Sequence, residues 1–411
     1  MAVLQPTNVL NLLQKAIQRK IEDNVPQTTP LLTIVKRNSG VTPMMNNSFY
    51  CTEWVGNFSN VGQFASGSTL TGGNASNIQL LVAAKRLYGD LQVDEFTVES
   101  MSKVPDGALV DFVKGFTDRL ELSIGREMNR TFHGKATGVV ALANGSSAGA
   151  TSITVKALDG VASSDIQPTQ YLAVGDYIII GSGAAVQITA IAGNVLTIAS
   201  RAWSDADVIT KASADGGVVD EMSGLKNLIV NTGTVQNVNV ANYVNMQAYV
   251  DATSQSIATT KEAPMQLAYL KTVGYKVSNK LVGYANITVF NAWASFLTSY
   301  KHTAKTDENI FGGANVQGEQ GVQAMPYLVF MGGNVYQDID CWTGHWFNTD
   351  PESMTIGDMG GGVKFSTSPD GKSVWSRITG QTPTYEATMR FYGNLIVKNP
   401  KSNSVLTGLT A

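Results

Sequence analysis

The sequence predicts an α+β fold, and three observations support this prediction. Most of the 411-residue chain is rich in Gly, Ala, Ser, Thr, Val and Asn and is patterned as short strands and turns. One segment, from Pro105 to Gly138, is patterned instead as a single long helix with an abrupt end. A separate run of β-patterned segments, residues 139–215, follows this helix directly. A long helix followed directly by a small β-domain favours a structural protein over an enzyme.

The N-terminal 24 residues predict a short amphipathic helix. The apolar residues that recur there at helical spacing are Val9, Leu12, Leu13, Ala16 and Ile17. Pro26 and Pro30 should end this helix, and the segment from Thr29 to Gly40 is expected to be extended. The helix could pack on its own domain or act as an arm on a neighbouring subunit, and the sequence favours neither.

Residues 46–100 are patterned as a long two-stranded ribbon, with SFYCTEWVGNF as one side and NIQLLVAAKRLYGDLQVDEFTV as the other. The tip between the two sides is rich in Gly, Ser and Thr and offers little for a core. Because an isolated ribbon is marginally stable in water, this one should lie on its own body or on another subunit. Trp54, Phe58 and Phe64 are the side chains expected to anchor it.

The long helix has one apolar stripe with steps of three or four residues. The stripe consists of Leu109, Phe112, Val113, Phe116, Leu120, Ile124, Met128 and Phe132. The charged residues expected on the wetter face are Arg119, Glu121, Arg126 and Glu127. Glu127 and Arg130 should form an i,i+3 ion pair on that face, and Gly134 after His133 is a typical helix stop.

The rest of the chain is expected to be mostly strands with a few helices. Within 139–215 the β-patterned runs are TSITV, YLAVGDYIIIG, VQITAIAGNVLTIAS and DVITKA, with a hairpin at Gly193-Asn194. Residues 241–260 and 264–279 are helix candidates, and ANITVF is expected to be a strand that runs into a helix. The runs MPYLVFMGG, VYQDIDCW and TYEATMRFYGNLIV are patterned as strands.

Composition narrows the classes of function. Charged residues make up 15% of the chain, against about 25% in a typical domain. Such a chain suits a protein that buries much of its surface against copies of itself, and equally a secreted β-protein. The net charge of −3 and the lack of a basic stripe indicate that any contact with nucleic acid is loose and not sequence-specific. No stretch approaches the roughly 18 apolar residues of a membrane span, and the first 24 residues lack a signal-peptide pattern, so we expect a cytoplasmic protein without a membrane partner.

The sequence has no motif that carries catalysis or binds a cofactor. The only histidines, His133, His302 and His345, lie far apart. HExxH and CxxC are absent, and so is a phosphate loop. Cys51 and Cys341 predict two partly buried thiols, since two cysteines make no disulfide framework in a chain of this size. We therefore expect no catalytic residue, no cofactor and no metal site.

The order of these segments resembles the major capsid proteins of tailed bacteriophages, the Hong Kong ninety-seven type of fold. KRLYGDLQVDEFTVESM is similar to the returning strand of the family's extended loop, and REMNRTFHGKATG to the end of its long helix. ITVFNAWASFLTSYK and VQAMPYLVF are similar to its axial domain, and MRFYGNLIVKNPKSNSVLTGL to its closing strand. Residues 139–213 resemble an insertion domain that some members carry.

The resemblance implies a division of the chain into seven regions. These are the N-terminal arm (1–45), the extended β-loop (46–100), the spine helix of the peripheral domain (101–138), the β insertion domain (139–215), a return to the peripheral domain (216–240), the axial domain (241–375) and the closing strands (376–411).

The resemblance also implies assembly as the function. Copies would form hexamers and pentamers that build an icosahedral head around packaged double-stranded DNA, contacted non-specifically. The implied partners are other copies of the chain, a portal and a separate scaffolding protein. The resemblance does not decide whether a decoration protein also binds. The implied location is the virion head, assembled in the host cytoplasm. The alternatives are another self-assembling protein, such as an encapsulin-like compartment, a tail tube or a surface layer, and an enzyme with an unrecognised site.

Nine residues are candidates for contacts between subunits. They are Trp54, Phe58, Phe64, Lys85, Arg86, Arg119, Glu121, Arg126 and Glu127. The tip of the extended loop, from Asn57 to Asn77, contains no lysine. We therefore expect no covalent cross-link through a lysine of that loop, a reaction that some members of the family carry out.

Overall fold

The fold is defined by a computed structural model. It describes residues 30–38, 41–44, 46–54, 63, 66, 76–96, 108–161, 164–213, 215–217, 219–278, 280–301, 327–367, 376–377 and 384–411. The predicted N-terminal helix, Phe58 and Phe64 lie outside these residues.

The described helices are α1 (Pro30–Ile34), α2 (Ala108–His133), α3 (Leu225–Leu228), α4 (Ile257–Thr260), α5 (Ala263–Val273) and α6 (Ile287–Lys301). The described strands are β1 (Thr42–Met44), β2 (Ser48–Trp54), β3 (Asn77–Ala83), β4 (Lys85–Asp94), β5 (Val139–Ala143), β6 (Ser147–Ala157), β7 (Tyr177–Ile180), β8 (Val186–Gln187), β9 (Ala190–Ala192), β10 (Val195–Trp203), β11 (Val208–Ala212), β12 (Thr234–Val235), β13 (Val238–Asn239), β14 (Tyr249–Asp251), β15 (Gln255–Ser256), β16 (Val282–Ala285), β17 (Tyr327–Phe330), β18 (Gly333–Gln337), β19 (Trp346–Thr349), β20 (Met354–Asp358), β21 (Lys364–Phe365), β22 (Ser376–Arg377), β23 (Thr384–Val397), β24 (Ser404–Leu406) and β25 (Leu409–Thr410).

The long helix α2 packs on a sheet built around strand β23. β4 pairs with β23 over ten residue pairs, and β20, β21 and β22 also pair with it. Gly89 of β4 permits the close approach of the helix, since a Cβ there would lie 2.7 Å from Leu120 Cδ1. Ile124, Met128 and Phe132 of the predicted stripe are buried in the same hydrophobic cluster as the sheet. Phe116 is 38% exposed, so the expectation that it joins the buried stripe is wrong.

Residues 139–212, called the β-unit below, form a seven-stranded sheet in the order β8-β7-β11-β5-β6-β10-β9. The unit has its own hydrophobic cluster, separate from that of α2. β9 and β10 pair as the predicted hairpin around Gly193-Asn194. The prediction of a compact all-β domain after the long helix is confirmed in these residues, while its status as an insertion stays a prediction.

A third cluster lies on a six-stranded mixed sheet in the order β14-β24-β19-β16-β18-β17. Its centre is aromatic, with Trp293 of α6 packed edge-on against Phe330 and Trp346 at ring-centroid distances of 5.6 and 6.3 Å. The predicted helix within 264–279 is confirmed as α5, which packs on β24 of this sheet.

The predicted ribbon of residues 46–100 is shorter than expected. β2 and β3 pair in antiparallel fashion, from Ser48↔Ala83 to Trp54↔Asn77. After Ala84, however, the chain leaves this pair, and β4 joins β23 instead. The expectation of one continuous two-sided ribbon is therefore wrong for β4, because pairing with a strand some 300 residues away overrides the local pattern.

Three local expectations are also wrong. Within the segment from Thr29 to Gly40, residues 30–34 are not extended but form the helical turn α1, with Leu31 and Leu32 buried, whereas Arg37 forms a parallel β-bridge with Ile356. Residues 241–260 form turns, β14 and β15 and only the short helix α4, since β14 and β15 pair with strands from the chain's end. ANITVF is not a strand throughout. β16 ends at Ala285, and the Asn286 Oδ1 accepts the Thr288 backbone N–H at 3.1 Å, so the helix starts at Ile287.

Candidate functional site: a buried polar junction and the surfaces around it

Buried polar side chains accompany the apolar stripe at the end of α2. Asn129, Arg130 and His133 are at most 3% exposed, although they lie next to Met128 and Phe132 of the apolar stripe. Their side of the helix is covered by the β-unit and by the loop of residues 338–345. Polar groups buried in this way need partners, and these come from distant parts of the chain. We call the set Asn129, Arg130, His133, Glu221, Asp338 and Asp340 the polar junction.

Arg130 is held between two carboxylates. Its Nη2 lies 2.6 Å from Glu127 Oε1 and 2.5 Å from Glu221 Oε1, and its Nε donates to Glu127 Oε2 at 3.3 Å. The remaining Nη1 donates to the Val139 carbonyl, the first residue of the β-unit, at 3.2 Å. Glu221 Oε2 in turn accepts the Gly138 backbone N–H at 2.7 Å. Both ends of the β-unit are thus tied to one guanidinium.

These ion pairs keep their charges in spite of burial. Burial by itself would raise the pKa of Glu127, but Arg130 and Lys211 of the β-unit outweigh it and lower that pKa to about 2. Burial would likewise lower the pKa of Arg130, and Glu127 and Glu221 raise it instead. Glu127 and Arg130 are therefore both charged at neutral pH.

The second half of the junction is centred on Asp338. His133 Nε2 lies 3.1 Å from Asp338 Oδ2. The Asn129 Nδ2 donates to Asp338 Oδ1 at 2.9 Å and to Asp340 Oδ2 at 2.6 Å. Asp340 also accepts a hydrogen bond from the hydroxyl of Tyr171, which belongs to the β-unit. Two carboxylates of one loop therefore connect the end of α2 to the β-unit.

Burial and charge act in opposite directions on these groups. Burial alone would lower the pKa of His133, but the facing Asp338 carboxylate outweighs it and raises that pKa. Burial would raise the pKa of Asp338, whereas His133 lowers it. For Asp340, burial and the neighbouring Asp338 charge together raise the pKa. The contact between His133 and Asp338 is thus an ion pair, and Asp340 is the carboxyl that takes up a proton more readily.

The loop that supplies Asp338 and Asp340 continues into the core of the β-unit. Trp342 is buried among the apolar residues of that unit. Thr343 adds two contacts, since its Oγ1 lies 3.0 Å from the Ser164 Oγ and its N–H donates to Asp159 Oδ2 at 3.3 Å. On α6, the Thr288 Oγ1 donates to Asp165 Oδ1 at 2.8 Å. The β-unit is therefore docked by side chains of three separate segments.

His345, at the end of this loop, has a structural role. Its Nδ1 donates to the Thr343 carbonyl at 2.8 Å, so its Nε2 accepts from the Lys226 ammonium at 2.6 Å. Burial, followed by the charge of Lys226, lowers the pKa of His345 to about 4. Burial and nearby Lys135 lower the pKa of Lys226 to about 7, while its Nζ lies 3.9 Å from the centre of the Trp342 ring.

The junction holds segments of the chain together and borders a cleft of about 330 Å³. The cleft is lined by Arg130 and Glu221 of the junction, by Lys135, Asp159 and Trp342, and by apolar residues of the β-unit. No group of three or more His, Cys, Asp or Glu residues that could hold a metal ion occurs among the described residues. Cys51 and Cys341 are free, buried thiols, as the sequence predicts.

The structure separates the predicted contact residues into three groups. Arg86, Arg119 and Arg126 are exposed, as a contact surface requires. Lys85 is paired within the chain with Asp220, and Glu127 with Arg130 and Lys211. For Trp54 the structure describes the backbone in β2 but not the side chain, and Phe58 and Phe64 lie outside the described residues.

The expected wetter face of α2 needs a correction. Glu121 is only 7% exposed and Arg130 only 3%, so neither lies on a solvent-facing side. Among the helix residues whose side chains are described, the exposed ones are Gly115, Phe116, Asp118, Arg119, Leu122, Ser123 and Arg126. The reasons differ. Arg130 is covered by Glu221 and by the first residue of the β-unit. Glu121 lies seven residues before Met128 and therefore on the same buried face of the helix. The role of these residues in contacts between subunits stays a prediction.

Several exposed apolar side chains lie on and around α5. α5 and the segment after it expose Leu267 (44%), Leu270 (62%), Tyr275 (46%) and Val277 (71%). Lys401 Nζ lies 4.2 Å from the centre of the Tyr275 ring and 3.3 Å from Asn245 Oδ1. The exposed Val244, which precedes Asn245 in the chain, therefore lies near Tyr275. We call these five residues the apolar corner. Clustered exposed apolar side chains are typical of a binding surface.

No helix among the described residues combines the length and the apolarity needed to cross a membrane.

Solved structures of phage capsids are similar to this chain. A chain titled cyanophage A-1(L) capsid asymmetric unit matches with a TM-score of 0.53 at 12% identity, covering 94% of this chain and 94% of that chain. The capsid of a native GTA particle gives a TM-score of 0.46 at 9% identity, with 94% and 91% covered. Mycobacterium phage Bobi gives 0.45 at 9%, with 93% and 90% covered. No protein-family model and no curated protein matches the sequence. The first match shows that this chain has an α+β capsid fold, which confirms the predicted fold class.

Replacing Arg130 should destabilise the protein strongly. In Arg130→Met, Glu127 and Glu221 keep their burial but lose their shared cation, and breaking a buried ion pair from one side costs about 3–5 kcal/mol. Urea unfolding followed by circular dichroism measures the effect. Arg126→Met is the matched control on the exposed side of the same helix and should stay within about 0.5 kcal/mol of the unaltered protein. Equal losses in both variants would contradict the assignment.

The His133–Asp338 pair predicts a specific dependence of stability on pH. The folded-state pKa of His133 is raised, so its contribution is complete below the ordinary value of about 6.5 and is lost as the pH rises through the folded-state pKa. The free energy of unfolding should fall more steeply above pH 6.5 in the unaltered protein than in His133→Gln. Urea titrations at several pH values test this, and parallel curves for the two proteins would refute it.

Proposed function

We propose that this protein is the major capsid protein of a tailed phage, which assembles with copies of itself into the head. The observation that carries the proposal is the likeness to the cyanophage A-1(L) capsid chain, at a TM-score of 0.53 over 94% of both chains. Because fold and function are separable in principle, the proposal also needs surfaces suited to assembly and a lack of features suited to catalysis.

The apolar corner supports self-assembly. Leu270 and Val277 are 62% and 71% exposed, and burying large apolar side chains of this kind stabilises an interface by roughly 25 cal/mol per Å². An exposed apolar cluster on a monomer in solution would favour aggregation, whereas in a shell it is covered by the next copy. We propose that this corner packs against neighbours in hexamers and pentamers.

The composition supports a container for nucleic acid. The net charge of −3 leaves no strong attraction between the shell as a whole and packaged double-stranded DNA, which would be contacted non-specifically. We propose a portal and a separate scaffolding protein as further partners, with a decoration protein as an option for the outer surface. The site of action would be the virion head, assembled in the host cytoplasm.

A structural role is proposed in preference to an enzymatic one. The charged groups of the polar junction are paired with one another. Their arrangement supports rigid docking of the β-unit on α2, a property that a shell subunit needs.

Electron microscopy tests the proposal directly. The chain is expressed alone and together with the products of neighbouring genes, and the purified material is examined by negative stain and light scattering. Hexameric rings or closed shells are expected. A monomer at all concentrations would overturn the proposal.

The apolar corner is tested with Leu270→Glu. A charge placed at the centre of an apolar contact should weaken assembly about tenfold or more in the concentration required, while the monomer stays folded because Leu270 is exposed. Val174→Glu is the matched control, since Val174 is also 62% exposed but lies on the β-unit. If both variants assemble like the unaltered chain, the corner is not an assembly surface.

A further inference from the structure

Among the described residues, the outer face of the sheet formed by β4 and β23 is exposed along β4, at Arg86, Tyr88, Asp90 and Asp94. Alternate residues of a strand point to opposite sides. The side of β4 that contains Gly89 faces α2, so the other side, with Arg86 and Tyr88, faces outward. On β23 the same outward side contains Arg390 and Tyr392, which lie opposite Tyr88 and Arg86.

Charges on this outer face are sorted by sign along the strands. The basic end consists of Arg86, Arg390 and Lys364, with Tyr88 and Tyr392 between them. The acidic end consists of Asp90, Asp94 and Glu386. On β23, Glu386 and Arg390 are four residues apart, which is about 13 Å in an extended strand. The face therefore has one positive and one negative end.

The basic end is held in place by its tyrosines. The rings of Tyr88 and Tyr392 pack edge to face at 5.8 Å, and the Tyr88 hydroxyl donates to the Tyr392 oxygen at 3.3 Å. The Arg390 Nη1 also donates to the Tyr392 oxygen, at 3.1 Å, and its guanidinium lies 4.9 Å from the ring centre. These contacts orient the cation without neutralising its charge.

None of these six charged side chains forms an ion pair within 4.0 Å in the part of the chain that the structure describes. Lys85, on the opposite side of β4, is by contrast paired with Asp220. The Arg390 Nε, moreover, is buried and has no hydrogen-bond acceptor among the described residues. Ordered but unpaired charges of both signs on one face leave room for a complementary partner.

We propose that the basic end of this face binds the acidic end of the same face on a second copy of the chain, head to tail. This proposal rests on the self-assembly proposed above and adds the surface through which it proceeds. A head-to-tail contact uses two different patches of each copy, as a ring or a shell of many copies requires. It would pair Arg86 and Arg390 of one copy with Asp94 and Glu386 of the next.

The face suits a second copy better than nucleic acid. A phosphate backbone long enough to contact Arg86 and Arg390 would also pass the acidic end, only about 13 Å away, and be repelled there. In head-to-tail order, by contrast, each end meets the opposite charge of a neighbouring copy. Complementary charge patches of this kind set orientation and specificity more than affinity, which suits subunits that must find one correct neighbour.

Charge reversal tests the proposal. The first variant combines Arg86→Glu with Arg390→Glu and has two acidic ends; the second combines Asp94→Lys with Glu386→Lys and has two basic ends. Each variant alone should need about tenfold or more of the concentration at which the unaltered chain assembles. An equimolar mixture should recover assembly, because acidic and basic ends can then alternate. The control combines Lys156→Glu with Arg201→Glu on the β-unit. It changes the net charge by the same amount as the first variant and should assemble normally.

The outcomes distinguish this head-to-tail contact from the broader self-assembly proposal and from binding of nucleic acid. Normal assembly of either variant alone, or no recovery in the mixture, overturns this inference while the self-assembly proposal stands. Failure of the unaltered chain to assemble overturns both. Normal assembly combined with lost binding of duplex DNA by the first variant would assign the basic end to nucleic acid instead. Circular dichroism confirms that each variant is folded, and Arg86→Glu alone replaces the first pair if that pair does not fold.

Discussion

The buried ion pairs at the end of α2 are the interaction on which the rest of the structure depends. Arg130 joins Glu127 of its own helix to Glu221 and to the first residue of the β-unit. A buried pair that loses one partner destabilises a protein by about 3–5 kcal/mol, whereas an exposed pair contributes about 1 kcal/mol or less. Exposed pairs such as Lys36–Glu352 can therefore shift freely, but the Arg130 cluster permits only one position of the β-unit on the helix.

The loop of residues 338–345 extends this constraint to the whole molecule. Asp338 and Asp340 bind the end of α2, and Trp342 is buried in the hydrophobic cluster of the β-unit. The strand that follows contributes Trp346 to the third cluster and Phe347 to the first. One short segment thus contacts all three hydrophobic clusters. A subunit built in this way can form contacts with neighbours without changing the relative position of its parts.

The sequence predicts those features that depend on local periodicity. The stripe of Ile124, Met128 and Phe132 predicts α2, and Gly193-Asn194 predicts the hairpin of the β-unit. The sequence does not predict features that depend on contact with a distant segment of the chain. β4 leaves the ribbon because β23 pairs with it, and Arg130 is buried because Glu221 and the β-unit cover its side of the helix. The polar junction combines residues about 210 positions apart, such as Asn129 and Asp340, and no local pattern joins them. The one available signal is Asp338 and Asp340 within an otherwise apolar strand pattern, since carboxylates in such a run require partners.

We propose that this capsid fold, with its rigidly docked β-unit, builds a closed shell. The decisive measurement is cryo-electron microscopy of the assembled particles, with each copy in the asymmetric unit refined independently. We expect Arg130 to lie between Glu127 and Glu221 in every copy, with the β-unit in one orientation, while contacts between subunits vary. Copies in which the β-unit is rotated away from α2, or particles built from a different fold of this chain, would contradict it.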